Sequence, residues 1–131
     1  MSRQTFINLP VEDLGAATSF FTALGFDFNP TFSDENSACL VISDETFVML
    51  LLESFYQRFT RKQLVDARTH SEVVICLSAE TRDEVDTLVH TALAAGGKPA
   101  GDPIEDGPMY GWSFEDVDGH VWELVHMELP E

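Results

Sequence analysis

Glu123 is the residue of this chain whose position most clearly requires a chemical explanation. The stretch from His120 to Met127 alternates in character as a strand does, so its odd-numbered residues share one face of the predicted sheet. Glu123 therefore stands in a row with Val121 and Val125. A carboxylate among apolar side chains costs free energy unless it is paired, hydrogen-bonded, bound to a metal or neutralised. Such a group can act as a general base or as a hydrogen-bonding anchor for a ligand.

Two aromatic residues are the first candidates for contact with a ligand beside Glu123. Tyr110 and Trp112 follow the Gly107-Pro108 turn, where a loop would meet a binding site. Aromatic rings are typical of pockets that hold flat or apolar molecules. A structural reading is equally open, in which Glu123 pairs with Tyr110, Trp112 or a backbone amide and has no catalytic role.

Other catalytic arrangements are not found in the sequence. No Ser-His-Asp or Cys-His pattern can be assembled from the four histidines, and no glycine-rich phosphate loop is present. Cys39 and Cys76 lie inside predicted strands and fit no metal-binding spacing. We expect both to be buried, reduced thiols, as in a cytoplasmic protein.

The charge of the chain excludes some partners. A net charge of −16 over 131 residues would repel nucleic acid. No apolar run approaches the ~18 residues that suggest a membrane span. Four of the seven Lys and Arg residues fall between Ser54 and His70. This basic segment is either a solvated linker, which we favour, or an anion-attracting patch.

The first half of the chain has the predicted order β-α-β-β-β. A strand over residues 5–11 precedes a helix whose apolar residues recur at helical spacing up to Leu24. Glu12 and Asp13 suit its N-terminus and Gly25 suits its C-terminus. Three further strands are predicted to begin at Phe26, Ala38 and Phe47.

The second half repeats this order. A strand is predicted over residues 71–77, followed by a helix that starts at a capping box formed by Thr81 and Glu84. A short strand at residues 98–100, a loop over residues 101–109 and two final strands joined at Asp118-Gly119 complete it. The connector, residues 54–70, is predicted to hold a short helix around residues 61–67.

The sequence resembles the vicinal-oxygen-chelate superfamily, which includes glyoxalase I, bleomycin- and fosfomycin-resistance proteins and extradiol dioxygenases. The resemblance rests on LPVEDLGAATSFFTALGF at residues 9–26 and DVDGHVWELVHM at residues 116–127. It implies an α+β fold of two βαβββ modules, whose sheets form a paired, curved mixed sheet around a central cleft. A single domain over residues 1–131 would comprise module one (1–53), the connector (54–70) and module two (71–131).

Metal-dependent members of this superfamily take four ligands from the first and last strands of each module. Carried over to this sequence, those positions fall on Phe6, Met49, Val74 and Glu123, and only the last has the chemistry of a ligand. The resemblance therefore predicts no bound metal and no cofactor. A register shift of two residues would instead offer Asn8 or Glu72 as oxygen donors beside Glu123.

The resemblance implies two candidate functions. The first is a protein that binds a small organic molecule without a metal. The alternative is a metal-dependent lyase of the lactoylglutathione lyase type, or a dioxygenase, with Glu123 as ligand or base. A homodimer is expected, because small glyoxalase-like members cover their strand edges with a second chain. The predicted ligand-binding residues are Phe6, Asn8, Phe47, Met49, Tyr110, Trp112 and Glu123.

Overall fold

The computed structural model describes residues 3–128 and divides them into two compact units, with the boundary between Val65 and Asp66. Each unit contains its own sheet and a helix that packs against that sheet. The α+β class predicted from the sequence is confirmed. Within the described residues, no helix has the length and apolar character needed to cross a membrane.

The first unit contains a four-stranded sheet in the order β1-β4-β3-β2. Strand β1 runs parallel to β4, and the other neighbours are antiparallel. A short helix, α2, and a 3₁₀ turn over Gln57–Phe59 follow the sheet. The main elements are β1 (Thr5–Val11), α1 (Leu14–Ala23), β2 (Asp27–Asn29), β3 (Ser37–Val41), β4 (Thr46–Leu52) and α2 (Glu53–Tyr56).

Helix α1 begins and ends where its sequence indicates. The Asp13 carboxylate accepts a hydrogen bond from the Ala16 amide at 3.0 Å and so caps a free N–H of the first turn. Gly25 follows the helix at a φ of 97°, a conformation that glycine adopts without steric cost. The predicted apolar stripe is buried, with Phe20 and Phe21 at its centre.

The second unit contains a five-stranded sheet in the order β5-β9-β8-β6, with β7 also paired to β8. Strand β5 is parallel to β9, and the other pairs are antiparallel. The elements are β5 (Val74–Ser78), α3 (Arg82–Ala94), β6 (Lys98–Pro99), β7 (Ile104–Asp106), β8 (Met109–Glu115) and β9 (Val121–Met127).

Strand β7 corrects the prediction of a loop over residues 101–109. Gly107 adopts a φ of 62° and reverses the chain, so Ile104 pairs with Gly111 and Asp106 pairs with Met109. The glycine and proline of this segment indicated a turn correctly. They did not show that three of the preceding residues would pair with β8.

The capping box of helix α3 is only half as predicted. The Thr81 hydroxyl accepts a hydrogen bond from the Glu84 amide at 3.0 Å, as expected. The Glu84 carboxylate, however, accepts from the amide of Glu80 at 3.4 Å rather than from that of Thr81. The helix still gains acceptors at its N-terminus, where free N–H groups need them.

One prediction for the connector and one for the strand that follows it are wrong. Residues 61–67 are not helical. At the start of this stretch the Gln57 side chain donates to the carbonyl groups of Thr60 and Lys62, which occupies acceptors that a helix would use for its own amides. Strand β5 begins at Val74 and not at Ser71. Glu72 is therefore exposed and lies before the strand rather than within it.

The strand pairing repeats between the two units, as the sequence predicts. In the first unit, Asn8 is in register with Met49, and in the second unit Cys76 is in register with Glu123. The third strand of each sheet follows the same rule, since Cys39 pairs with Met49 and Ser113 pairs with Glu123. Met49 and Glu123 are therefore equivalent positions of the repeat.

Candidate functional site

Strand β9 separates a buried face of the second sheet from a more open one. Trp122 and Leu124 are only 1% and 3% exposed and lie on the face against which α3 packs. Glu123 points to the other face with Val121 and Val125, and all three are half-buried. The sequence predicted this division, because alternation along a strand needs only local information.

Cys76 is the closest chemical partner of Glu123. It lies opposite Glu123 on β5, and its thiol is hydrogen-bonded to the Glu123 carboxylate. Partial burial of the thiol, this hydrogen bond and the negative charge of Glu123 together raise the pKa of Cys76 to about 11. The expectation that Cys76 would be buried is wrong, since the residue is exposed, whereas Cys39 is buried as predicted.

The thiol and the carboxylate therefore have defined roles at neutral pH. Cys76 stays protonated and donates to Glu123, so it is neither a ready nucleophile nor a ready metal ligand, because both need the thiolate. The Glu123 carboxylate can accept a further hydrogen bond on the side that faces away from Cys76. A Cβ atom built on Gly111 would lie 4.0 Å from its Oε2 atom, so the carboxylate extends over a position that has no side chain.

The surroundings of this pair are apolar and unusually exposed. Val74, Ile104 and Met127 lie on the same face, and they are 53%, 52% and 45% exposed. Within residues 3–128, Glu123 forms no ion pair with a basic side chain. The face thus combines a carboxylate that lacks a cationic partner with apolar side chains that are open to solvent. We call it the Glu123 face.

Tyr110 and Trp112 lie on the opposite side of the sheet, toward α3. The Tyr110 hydroxyl donates to the Asp86 carboxylate, and that hydrogen bond is the main reason why the pKa of Tyr110 is raised. The Trp112 indole donates to the Gly101 carbonyl at 2.9 Å, and its ring packs edge-on against His90. The structure does not bring these two residues together with Glu123, and the hypothesis that either one pairs with it is wrong.

The four candidates of the first unit do lie together. Phe6 and Phe47 stack with ring centroids 5.0 Å apart, and Asn8 is in register with Met49 one pair further along the same face. Phe6 is 44% exposed, and Phe47 and Met49 are half-buried. The alternate residues of these strands, including Leu9 and Val48, are buried. This face of the first sheet is therefore an aromatic surface with one amide group.

The donors present do not fit a divalent metal. No group of three or more His, Cys, Asp or Glu side chains within residues 3–128 could hold a metal ion. Beside Glu123 the register supplies Cys76, whose thiol is protonated, and not Glu72, which lies outside the strand. In the first unit, the residue in register with Asn8 is Met49, whose thioether is a soft ligand. A hard divalent ion prefers several oxygen or imidazole ligands.

One buried polar group was missed by the sequence reasoning. Asp116 is 4% exposed, and its carboxylate accepts hydrogen bonds from the amides of Asp118 and His120 and from the indole of Trp122. Burial raises the pKa of Asp116, while the nearby His120 and these three donors oppose the rise. Its place two residues before Asp118-Gly119 was the available signal, because aspartate often accepts from the backbone of a following turn.

Gly119 completes this turn in a position that only glycine fits. Its φ is 96°, and a Cβ atom would come within 2.8 Å of the backbone of Ala67 and Arg68. Residues 67 and 68, which belong to the second unit, therefore lie directly against the turn between β8 and β9. The hydrogen bonds to the Asp116 carboxylate and the close approach at Gly119 fix the backbone just before β9. Gly119 lies two residues before Val121, where β9 begins, and four residues before Glu123.

Comparisons with known proteins agree with this architecture. A family model described as bleomycin resistance protein-like N-terminal matches residues 3–43. No curated protein matches the sequence. A hypothetical protein of S. aureus is 31% identical, with a TM-score of 0.82, over 96% of this chain and 94% of that chain.

Two more distant structures share the fold. A glyoxalase/bleomycin resistance protein/dioxygenase family enzyme from Burkholderia phytofirmans is 17% identical, with a TM-score of 0.80, and the match covers 97% of this chain and 100% of that chain. A bleomycin resistance determinant encoded on the transposon Tn5 is 19% identical, with a TM-score of 0.68, and covers 98% and 100%.

Proposed function

Because the chain belongs to the vicinal-oxygen-chelate superfamily and has its α+β glyoxalase-like fold, we propose that it binds a small organic molecule on the Glu123 face, without a bound metal. Membership alone does not select this function, since one scaffold hosts unrelated chemistries. The choice rests on the residues of the site.

The observation that carries the proposal is the half-buried Glu123 carboxylate among exposed apolar side chains. Among the residues that the structure describes, the donor to its carboxylate is the thiol of Cys76, a weak hydrogen-bond donor. A carboxylate in such surroundings is stabilised by a further donor. A ligand with an apolar body and an N–H or O–H group would supply both the donor and cover for Val74 and Met127.

The aromatic surface of the first unit supports the same class of ligand. Phe6 and Phe47 already stack on one another and leave part of Phe6 open. Asn8 adds an amide that can donate and accept. A flat ligand would bury this surface with little loss of side-chain freedom, because stacked rings are already ordered.

The alternative function is a metal-dependent lyase of the lactoylglutathione lyase type, or a dioxygenase. What favours it is the carboxylate on the last strand of the repeat, the position that the superfamily resemblance assigns to a ligand. What weighs against it is the donor set, since the residue in register with Glu123 is a protonated thiol. Turnover of a hemithioacetal only after addition of Zn²⁺, Ni²⁺ or Mn²⁺ would favour the alternative.

The proposal is tested by titrating ¹⁵N-labelled protein with phenol, indole and 1-naphthol. Binding should shift the amide signals of Cys76, Gly111 and Glu123, and Glu123→Gln should weaken it. Glu115→Gln is the matched control, because it removes a carboxylate from the same face of the sheet. Glu115 lies on β8 two residues after Ser113, which is the residue in register with Glu123. The proposal fails if none of the three compounds binds, or if the shifts fall only on residues that contact α3.

The proposal includes a homodimer in a reducing cytoplasm. Within their own sheets, β1 and β5 each have one outer edge without a strand, and such edges are commonly covered by another chain. The described cysteines are free, which suits a reducing compartment. Light scattering should give twice the chain mass of 14.6 kDa. A monomer at all concentrations would contradict the dimer.

A further inference from the structure

A short segment of the first unit carries positive charge that the described part of the chain does not neutralise. We call residues 57–62 the basic turn. Its three cations, Arg58, Arg61 and Lys62, are all exposed, and within residues 3–128 none forms an ion pair. The net charge of the whole chain is −16, so the rest of the chain without these three cations carries −19. Three cations within six residues form a local positive cluster on an otherwise acidic protein.

The basic turn is held in one conformation by its own side chains. The Gln57 amide donates to the carbonyl of Thr60 at 3.0 Å and to that of Lys62 at 2.7 Å. The Thr60 hydroxyl accepts from the Lys62 amide at 3.2 Å. These contacts involve backbone groups and the side chains of Gln57 and Thr60, and they do not use the charged ends of the three cations. Binding to a turn that is already ordered costs less conformational entropy.

An aromatic anchor lies inside this charge cluster. Phe59 is 64% exposed, although its ring meets that of Phe55 edge-on at 5.5 Å. The guanidinium of Arg58 lies 5.5 Å from the centre of the Phe55 ring, a cation–π contact. The basic turn therefore combines one exposed aromatic ring with three side chains that can recognise carboxylates.

We propose that the basic turn docks an acidic peptide segment of a partner protein, with an apolar side chain on Phe59 and carboxylates on the three cations. The negative charge of the rest of the chain favours a short acidic peptide over a large polyanion. An extended polyanion such as duplex DNA or an anionic bilayer would bring many negative charges against a remainder of −19. A short acidic segment brings only a few negative charges, and the three cations can pair most of them.

Fluorescence anisotropy with a labelled Asp-Glu-Phe-Asp-Glu peptide tests the proposal. Raising the salt from about 50 to about 200 mM should weaken binding roughly tenfold or more, because the attraction is screened. Arg61→Ser combined with Lys62→Ser should weaken it by a similar factor. Arg3→Ser combined with Lys98→Ser removes the same charge elsewhere and should change the affinity less than about twofold.

Further variants and probes keep the outcome decisive. Phe59→Ser should weaken binding while lowering the thermal transition by only about a few degrees, because it removes one edge-on contact with Phe55 at an exposed position. The proposal is overturned if the Asn-Gln-Phe-Asn-Gln peptide binds equally well, or if the two double variants behave alike. It is also overturned if phosphatidylserine vesicles or duplex DNA bind the basic turn more tightly than the acidic peptide.

Discussion

Replacing Glu123 by Gln should make Cys76 more reactive. In the native protein Cys76 is exposed as a residue, yet partial burial of its thiol and the carboxylate beside it raise the pKa to about 11. Gln has the same shape as Glu but no charge, so the variant removes the electrostatic cause and retains most of the burial. The reactivity of Cys76 therefore measures the contact on which the proposed site depends.

The expected size of the effect follows from the pKa. Relative to the ordinary value of 9.0, a pKa of about 11 lowers the thiolate fraction at neutral pH about 100-fold. A more basic thiolate is also a better nucleophile, which recovers about eightfold in disulfide exchange. Cys76 should thus react about tenfold more slowly than an ordinary thiol. Each tenfold gain in thiolate on Glu123→Gln should raise the rate about threefold, for a total between about three- and tenfold.

The assay is the reaction with an aromatic disulfide such as DTNB under native conditions. Cys39→Ala in every variant leaves Cys76 as the single thiol, since the chain has two cysteines. Glu115→Gln is the charge-matched control, because Glu115 shares the face but is in register with Val121 rather than with Glu123. The control should leave the rate within about twofold of the parent, as expected for a distant, screened charge.

The pH dependence gives an independent reading. The parent rate should rise throughout the range up to about pH 11, whereas the Glu123→Gln rate should level off earlier. The direction in which pH changes the folding stability follows as well. The folded state holds the thiol proton more tightly than the unfolded state, so this contribution is present below pH 9.0 and is lost as pH rises toward 11. An unchanged rate and pH profile in Glu123→Gln would refute the contact between the two side chains.

Three further predictions concern the turn and the metal. Gly119→Ala should cost about 2–5 kcal/mol in urea unfolding, because a positive φ is combined with backbone atoms of Arg68 at 2.8 Å, while Gly25→Ala, in open space at a φ of 97°, should cost only about 1–2 kcal/mol. Equal losses would show that the close approach has no effect. Asp116→Asn should cost about 1–3 kcal/mol, since one acceptor of a buried network is lost; a loss below about 0.5 kcal/mol would contradict that network. Elemental analysis should find no stoichiometric Zn, Ni, Mn or Fe, and a metal ion lost on Glu123→Ala would overturn the metal-free proposal.

Local patterns predicted much of the fold. The spacing of apolar residues and the two flanking signals located α1, since a helix is specified largely within its own turns. Alternation along β9 correctly separated the row of Glu123 from that of Trp122. The repeat of strand order could also be read, because each unit carries the same succession of strand, helix and glycine.

Relations between strands could not be read in the same way. Whether Trp112 or Ser113 shares a face with Glu123 depends on the register of β8 against β9, and a change of one residue exchanges the two faces. The structure selects Ser113, which leaves Trp112 toward α3. Which residue of β5 lies beside Glu123 depends on how β5 aligns with β9, and the sequence did not show that β5 begins at Val74. Polar residues such as Glu72 do not mark that start.

The repeat also shows where the chemistry of this chain is concentrated. Asn8 and Met49 occupy the same register in the first unit as Cys76 and Glu123 do in the second. The backbone geometry is therefore shared, but only the second pair includes a charge and a thiol that responds to it. An apolar ligand could use either face, whereas recognition of a hydrogen-bond donor should depend on Glu123. The loss of selectivity for such donors in Glu123→Gln, with apolar affinity retained, would be the functional counterpart of that asymmetry.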